Sequence, residues 1–309
     1  MPATKTCRPS RTAREYPTFG SNGEPEETRR RSTALVSRPL EALRQIDGWR
    51  AATAAAGVAR EGALVAGRGA EDVVLRWASV TKLVTALAAL VAAEEGVVDL
   101  DEPAGPEGST VRHLLAHASG LPFEAGGPTG RPGQRRTYSN VGFEALADHI
   151  AARAEMPFAD YLAAGVLRPL GMKSELRGSA ASELHGALDD LLRLARELQR
   201  PTLIAQETLD EATTVQFPGL AGVLPDFGRF DPNDWGLGFE LRNGKSPHWT
   251  GSRNSQRTFG HFGATGTFLW VDPEAGVALG VLTDLEFGDW SKEAWPRLSD
   301  AVLAEAPGS

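Results

Sequence analysis

Hydrophobic positions recur with helical spacing through the middle of the chain and with strand-like spacing towards its end. The clearest helix follows residue 82, because apolar residues then recur every three or four positions and Gly96 is placed to end the run. Its apolar positions are Leu83, Val84, Leu87, Leu90 and Val91. Further helices are predicted over residues 40–49, 111–117, 140–153, 158–166 and 184–199. A helical lobe therefore occupies the centre of the chain.

Strand patterns lie on both sides of this lobe. Residues 54–59 and 63–66 flank Arg60-Glu61-Gly62 and predict a hairpin. Apolar runs over 237–241, 268–272 and 277–283 predict antiparallel strands, and an amphipathic helix follows over about 290–304. One antiparallel sheet built from both chain ends, with flanking helices and an inserted helical lobe, makes this an α+β protein, an α/β sandwich.

The same patterns predict three regions. Residues 1–33 lack apolar periodicity and are expected to form a disordered tail, because they bury too little surface to offset the entropy of ordering. A sheet lobe is predicted over 34–78 and 235–309, and a helical lobe over 79–234.

Composition excludes several classes of function. The chain has 309 residues, 41% of them hydrophobic, and its formal net charge of -8 argues against nucleic acid as a partner. The single cysteine, Cys7, excludes an internal disulfide and a cysteine-based metal cluster. Because no apolar run approaches the roughly 20 residues that cross a bilayer and no secretory signal is recognisable, we expect no membrane partner and a cytoplasmic location.

Ser79-Val80-Thr81-Lys82, at the front of the first long helix, carries the candidate chemistry. Residues three apart share a helix face, so the Lys82 amine can reach the Ser79 hydroxyl and, if neutral, take or relay its proton. A lone Ser-x-x-Lys also fits a helix N-cap serine beside a solvated lysine. Two further elements favour catalysis: Tyr138-Ser139-Asn140 in the helical lobe, and Gly260-His261-Phe262-Gly263, which is predicted to open a strand.

These motifs, in this order, resemble those of the penicillin-recognising serine hydrolases, the family of class C β-lactamases, D-alanyl-D-alanine carboxypeptidases and family VIII-type esterases. The resemblance covers residues 40–303, and its supporting phrases are residues 77–82, 109–122, 169–172 and 236–239. It implies a β-lactamase/transpeptidase-like fold, an active cleft between two lobes, catalysis through an acyl-enzyme, and neither a metal nor an organic cofactor.

The resemblance also implies a role for each motif residue. Ser79 attacks a carbonyl, while Lys82, kept neutral by burial, and Tyr138 handle its proton; which of the two is the formal base stays open. Asn140 orients Lys82 and binds a substrate carbonyl, with a helix N-cap as its alternative role. Backbone N–H groups of Ser79 and Ala264 form the oxyanion site.

Gly263 fits the close approach of backbone that this oxyanion site requires. The triplet His261-Phe262-Gly263 departs from the Lys-Thr-Gly form usual in β-lactamases. His is mostly neutral near pH 7, and Phe262 removes a hydroxyl that would help to bind a carboxylate, so the pocket suits anions less well. Arg253 or Arg257 would restore positive charge there, although a solvated surface role is the alternative for each.

The expected function is therefore that of a serine hydrolase acting on a small ester. The alternatives are a D-alanyl-D-alanine carboxypeptidase or β-lactamase, acting on an amide or a lactam, and a relative that binds ligands without catalysis. His113 and His117 are spaced like zinc ligands, but Leu114 stands where a metalloprotease has Glu, so structural roles are expected for both. Trp235 or Trp249 is a candidate for the acyl pocket, and the loops over 123–137 and 220–234 are expected to shape it.

Overall fold

The computed structural model describes residues 40–305. The tail predicted over 1–33, and with it Cys7, lies outside the described residues. Among the residues that are described, no helix combines the length and the apolarity needed to span a bilayer.

A six-stranded antiparallel sheet is the centre of the fold. The strands of the described chain are β1 (Ala54–Arg60), β2 (Ala63–Gly69), β3 (Leu75–Arg76), β4 (Glu175–Leu176), β5 (Leu184–Gly186), β6 (Gly222–Leu224), β7 (Gly228–Phe230), β8 (Glu240–Leu241), β9 (Phe259–Gly263), β10 (Thr267–Asp272) and β11 (Val277–Thr283). The large sheet has the order β2-β1-β11-β10-β9-β8, so the first hairpin joins strands from the far end of the chain. This confirms the predicted fold class and the sheet assembled from both chain ends.

Helices cover both faces of the sheet. They are α1 (Thr81–Glu94), α2 (Val111–Leu115), α3 (Asn140–Ala154), α4 (Phe158–Leu162), α5 (Leu188–Gln199), α6 (Gln206–Ala212) and α7 (Asp289–Glu305), with 3-10 turns at Glu41–Gly48 and Ala78–Val80 and a π-helical turn at Ala163–Leu167. Leu192 packs directly over Gly57 and Leu191 over Gly280, where an added Cβ would meet the leucine atoms at 2.5 and 2.9 Å. These two glycines therefore let α5 lie close against β1 and β11.

The opposite face of the sheet packs against α7 and the Glu41–Gly48 turn. Alternation along β10 divides the core between the two faces, because Phe268 and Trp270 point to this side while Leu269 and Val271 point to the α5 side. Helix α1 is buried from Thr81 to Ala92 at the centre of the larger core, which places its first turn deep in the molecule.

Three predicted elements differ from the structure. The helix predicted over 184–199 begins only at Leu188, because residues 184–186 form β5 and pair with β3 and β4. The strand predicted over 237–241 is limited to Glu240–Leu241, since Gly238 turns the chain with a φ of 88°. Residues 260–263 end the strand β9 rather than opening one. For residues 184–186 the apolar pattern is real, but β3, the partner strand that decides their structure, is distant in sequence.

Candidate active site

Ser79 lies in the 3-10 turn that leads into α1, at the floor of a pocket. The preceding Ala78 has a φ of 45°, a left-handed conformation that costs a non-glycine residue about 1–3 kcal/mol and persists only where the surroundings fix it. Buried Trp77 supplies one anchor, since its indole Nε1 donates to the Gly186 carbonyl at 3.1 Å. The turn thus holds the Ser79 side chain half-exposed while its neighbours are buried.

Lys82, one helical turn further, is completely buried. Its Nζ lies 3.3 Å from Ser79 Oγ, 2.7 Å from Asn140 Oδ1 and 2.9 Å from the Ala181 carbonyl oxygen, and all three partners are uncharged. Burial lowers the pKa of Lys82 well below its ordinary value, and the charge of Glu144 acts in the opposite direction with a smaller effect. The site therefore shifts the protonation equilibrium of the amine towards its neutral form.

Tyr138 and Asn140 come from the loop that enters α3. Ser139 caps that helix through its Oγ, which accepts from the Gly142 N–H at 2.8 Å, so Asn140 is not the N-cap and its amide is free to meet Lys82. The Lys82 Nζ also lies 4.8 Å from the centre of the Tyr138 ring. Burial raises the pKa of the Tyr138 phenol above its ordinary value, although a hydrogen bond with Ser79 acts to lower it.

His261, on β9, faces the Tyr138 hydroxyl. Its Nδ1 lies 2.6 Å from the Phe262 carbonyl oxygen, which only accepts, so Nδ1 carries the ring proton. Burial, and then the charge of Lys82, lowers the pKa of His261 to about 3, and the neutral ring therefore presents the Nε2 lone pair to Tyr138 Oη at 3.3 Å. Tyr138 is the donor in this contact.

Gly263 brings the end of β9 against the turn that holds Ser79. A Cβ added to Gly263 would lie 2.7 Å from the Trp77 carbonyl oxygen and 3.0 Å from the Ala78 Cβ. The start of β10 is fastened to the same segment, because the Thr267 hydroxyl donates to the Trp77 carbonyl at 3.0 Å. Only glycine allows this approach, which brings Ala264 to the wall of the pocket that Ser79 also lines.

The pocket above Ser79 has a volume of about 290 Å³. Its lining residues are Ser79, Phe123, Tyr138, Leu224, Pro225, Asp226, Trp235, His261, Phe262, Ala264, Glu286 and Phe287. Of the residues predicted from sequence, Ser79, Tyr138, His261 and Ala264 line it directly. Lys82 and Gly263 are buried behind them, and Asn140 contacts Lys82.

Some of the other candidates from the sequence line this pocket and others do not. Trp235 lines it and Trp249 is not among the lining residues. Arg257 lines a separate cavity between α6 and the sheet edge, and the Arg253 main-chain N–H donates to Asp300 at 2.7 Å. Neither arginine is among the residues that line the pocket above Ser79.

The two zinc-spaced histidines have other partners. His117 Nδ1 accepts from the Ser139 N–H at 3.1 Å, and His113 Nδ1 lies 2.9 Å from the Thr110 hydroxyl. Within residues 40–305, no group of three or more His, Cys, Asp or Glu side chains is arranged to hold a metal ion. Through its hydrogen bond with the Ser139 main chain, His117 thus stabilises the loop that carries Tyr138.

Sequence reasoning missed several residues of the site. The Ala181 carbonyl acts through the main chain, which no side-chain motif reveals. Phe123 and Asp226 lie in the two loops predicted to shape the pocket, but no sequence pattern indicates which residues of these loops line it. Glu286 and Phe287 follow β11 and reach the pocket because the Phe287 N–H donates to the Ala264 carbonyl at 2.8 Å.

Comparison with known proteins gives a consistent picture. The family model described as Beta-lactamase matches residues 42–304. A solved beta-lactamase from Mycobacterium bovis is 52% identical, with a TM-score of 0.85, and the match covers 86% of this chain and 99% of that one. EstCE1, a hydrolase with promiscuous acyltransferase activity, has the same fold, with a TM-score of 0.69 at 17% identity over 84% of this chain and 96% of the other.

Among curated proteins, the D-alanyl-D-alanine-carboxypeptidase/endopeptidase AmpH of Escherichia coli (strain K12) is 31% identical over 139 residues. That match covers 33% of this chain and 36% of AmpH. The chain thus matches only about a third of the length of this curated relative.

Proposed function

The chain belongs to the beta-lactamase family of serine hydrolases, and on that premise we propose that Ser79 is its acylated nucleophile and a small ester its preferred substrate. The observation that carries the proposal is the environment of Lys82. A buried amine next to a partly exposed serine is the arrangement that makes a weakly acidic hydroxyl nucleophilic.

The contacts of Lys82 accommodate a neutral amine, the form that burial favours. A neutral amine has two N–H donors and one lone pair. Asn140 Oδ1 at 2.7 Å and the Ala181 carbonyl at 2.9 Å only accept, so they take the two N–H groups. The lone pair is then left for the Ser79 hydroxyl at 3.3 Å. Lys82 is accordingly the base that receives the Ser79 proton as the Ser79 Oγ bonds to the substrate carbonyl carbon.

Tyr138 serves as the relay between Lys82 and the leaving group. Its raised pKa keeps it a phenol at neutral pH, and its O–H donates a hydrogen bond to His261. Because His261 is neutral, it adds no positive charge that would stabilise a phenolate. The phenol oxygen can accept from Ser79 or pass a proton to the departing alkoxide, with Lys82 as the source. Water then attacks the acyl-Ser79 ester and releases the acid.

The developing oxyanion is held by the backbone N–H groups of Ser79 and Ala264. The contact of Gly263 with the Trp77 carbonyl supports this assignment, because it brings the two segments together. The Asn140 amide nitrogen, which Lys82 leaves free, is the donor for a second carbonyl of the substrate.

The pocket lining favours a small ester over a substrate that carries a carboxylate. Lactam antibiotics and D-alanyl peptides present a carboxylate that needs a cation or a hydroxyl. None of the described residues that line this pocket is Lys or Arg, His261 is neutral, and Phe262 occupies the position where a hydroxyl would bind. A carboxylate would therefore lose hydration there without gaining a partner.

The second candidate function is hydrolysis of a D-alanyl peptide or a lactam. It is favoured by the names of the relatives, since AmpH is a carboxypeptidase and the Mycobacterium bovis protein is described as a beta-lactamase. A third candidate, ligand binding without catalysis, would leave Ser79 unreactive.

Turnover of matched chromogenic substrates tests the proposal. We expect the protein to hydrolyse p-nitrophenyl acetate and not nitrocefin, and Ser79→Ala to lose the esterase activity. Nitrocefin turnover without ester turnover would favour the second candidate. Inactivity on both, together with no turnover of a D-alanyl-D-alanine peptide, would favour the third.

Two further predictions from the sequence have no bearing on this chemistry and stay proposals. The division into a sheet lobe (34–78 and 235–309) and a helical lobe (79–234) can be tested by limited proteolysis. The cytoplasmic location can be tested by cell fractionation of the natural host.

A further inference from the structure

We propose that the pocket above Ser79 selects esters that carry a bulky, positively charged group such as a quaternary ammonium. This inference rests on the proposed hydrolase function and adds the chemical class of the substrate. Two independent features of the pocket carry it: walls made of aromatic rings, and two carboxylates at the mouth.

Aromatic side chains make up most of the apolar wall. Five lining residues are aromatic, namely Phe123, Tyr138, Trp235, Phe262 and Phe287. They form two groups, since the rings of Phe123 and Tyr138 are 5.8 Å apart and the rings of Phe262 and Phe287 are 5.4 Å apart. Ring faces attract cations through their quadrupole, and several rings around one cavity are the usual receptor for quaternary ammonium groups.

The mouth of the pocket carries Asp226 and Glu286. Both residues are exposed, and no ion pair or side-chain hydrogen bond within residues 40–305 involves either carboxylate. Asp226 sits at the tip of the β6–β7 hairpin with a φ of 63°, and Glu286 directly precedes Phe287, whose main chain is tied to Ala264. The hairpin and this tie hold both carboxylates at the rim.

No lining side chain among the described residues offsets these two negative charges. Of the basic groups already placed at the site, His261 is neutral, and Lys82 is buried behind the wall, where burial shifts it towards its neutral form. The rim therefore attracts cations and repels anions, an effect that acts over about 8–10 Å at moderate salt.

The aromatic wall decides which cation fits best. A primary ammonium is a compact, strongly hydrated charge that requires several hydrogen-bond acceptors when it leaves water. A quaternary ammonium spreads its charge over methyl groups, needs no acceptors and packs against rings as an apolar group does. The pocket of about 290 Å³ leaves room for such a group beside a short acyl or alcohol chain.

Two pairs of esters, matched in shape and differing only in charge, test the inference. The first pair is choline phenylacetate and 3,3-dimethylbutyl phenylacetate, with the charge in the alcohol. The second pair is the p-nitrophenyl esters of 4-(trimethylammonio)butanoate and 5,5-dimethylhexanoate, with the charge in the acyl group. In at least one pair we expect kcat/KM of the cationic ester to exceed that of its neutral partner by about fivefold or more at low salt, and the ratio to fall in 0.5 M NaCl.

Two double variants separate the rim from general charge effects. Asp226→Asn with Glu286→Gln should lower the cationic-to-neutral ratio at least about threefold. Glu207→Gln with Glu293→Gln removes the same formal charge from exposed positions outside the pocket and should keep the wild-type ratio.

The outcomes are distinguishable. If the neutral esters are hydrolysed but neither pair shows a preference for the cation, or if both double variants lower the ratio equally, the inference is wrong while the proposed function stands. If p-nitrophenyl acetate is hydrolysed but no ester of either pair is, the inference is likewise wrong and the proposed function stands. If p-nitrophenyl acetate is not hydrolysed either, the proposed ester hydrolysis is itself contradicted.

Discussion

Replacing Asn140 by aspartate should move the pH dependence of ester hydrolysis to higher pH. Turnover requires neutral Lys82, so kcat/KM rises with pH through the pKa of this amine, which burial holds well below its ordinary value. The new side chain would be nearly isosteric with the natural amide but would place a negative charge next to Nζ. The charged ammonium would then be favoured, and the rising limb of the profile would shift upward.

The size of the shift follows from the contact distance. Two unit charges at the 2.7 Å that separates Lys82 Nζ from Asn140 Oδ1 attract by about 6 kcal/mol at an effective dielectric constant of about 20. Relaxation of the site reduces this attraction to about 3 kcal/mol, in line with the roughly 1–3 pKa units by which an adjacent opposite charge moves a titrating group in proteins. At 1.36 kcal/mol per pKa unit, this corresponds to a shift of about 2 pH units and to a loss at low pH of about a hundredfold.

The assay is kcat/KM for p-nitrophenyl acetate against pH, with two controls. Asn140→Ser removes the contact without adding charge, so it should lower the plateau and leave the inflection in place. Glu144→Gln removes a charge that raises the pKa of Lys82, so its inflection should move slightly downward. If Asn140→Asp lowered turnover equally at every pH, neutral Lys82 would not be the base.

Three further predictions concern the same machinery. Tyr138→Phe should lower kcat for esters by about a hundredfold, the usual scale for lost acid–base assistance, with little change in the thermal unfolding midpoint; an activity close to wild type would remove the proposed relay. Gly263→Ala should destabilise the fold by about 1–3 kcal/mol and abolish turnover, because its Cβ meets the Trp77 carbonyl at 2.7 Å, whereas Gly244→Ala has no atom within 4 Å and should fold normally. At pH values between the lowered pKa of Lys82 and its ordinary value of 10.5, the unfolded chain binds a proton that the folded chain does not. The free energy of unfolding should therefore rise with pH in this range, and Lys82→Met should remove that rise.

Much of the fold is readable from the sequence because its signals are local. The hairpin of β1 and β2, the long helix α1 and the final strands β10 and β11 each carry an apolar pattern of sufficient length. Short elements such as β5 and β8 are not readable in this way, since their pairing with β3 and β9 determines them.

The residues of the candidate site likewise divide into those that local sequence motifs mark and those that only the fold reveals. Ser79, Lys82, Tyr138 and His261 lie in motifs whose order and spacing mark them, and the structure brings them together. The rim carboxylates and two of the five aromatic residues of the wall, Phe123 and Phe287, lie on loops with no periodic pattern, so only the fold reveals them. The tautomer of His261 likewise depends on one carbonyl, that of Phe262, whose direction no sequence pattern encodes.

The most direct test of Ser79 as a nucleophile activated by Lys82 is covalent labelling with a fluorophosphonate, read by intact mass and peptide mapping. We predict one adduct per chain, located on Ser79, absent in Ser79→Ala and strongly slowed in Lys82→Ala. An adduct on another residue, or none on a folded protein, would contradict the proposed chemistry.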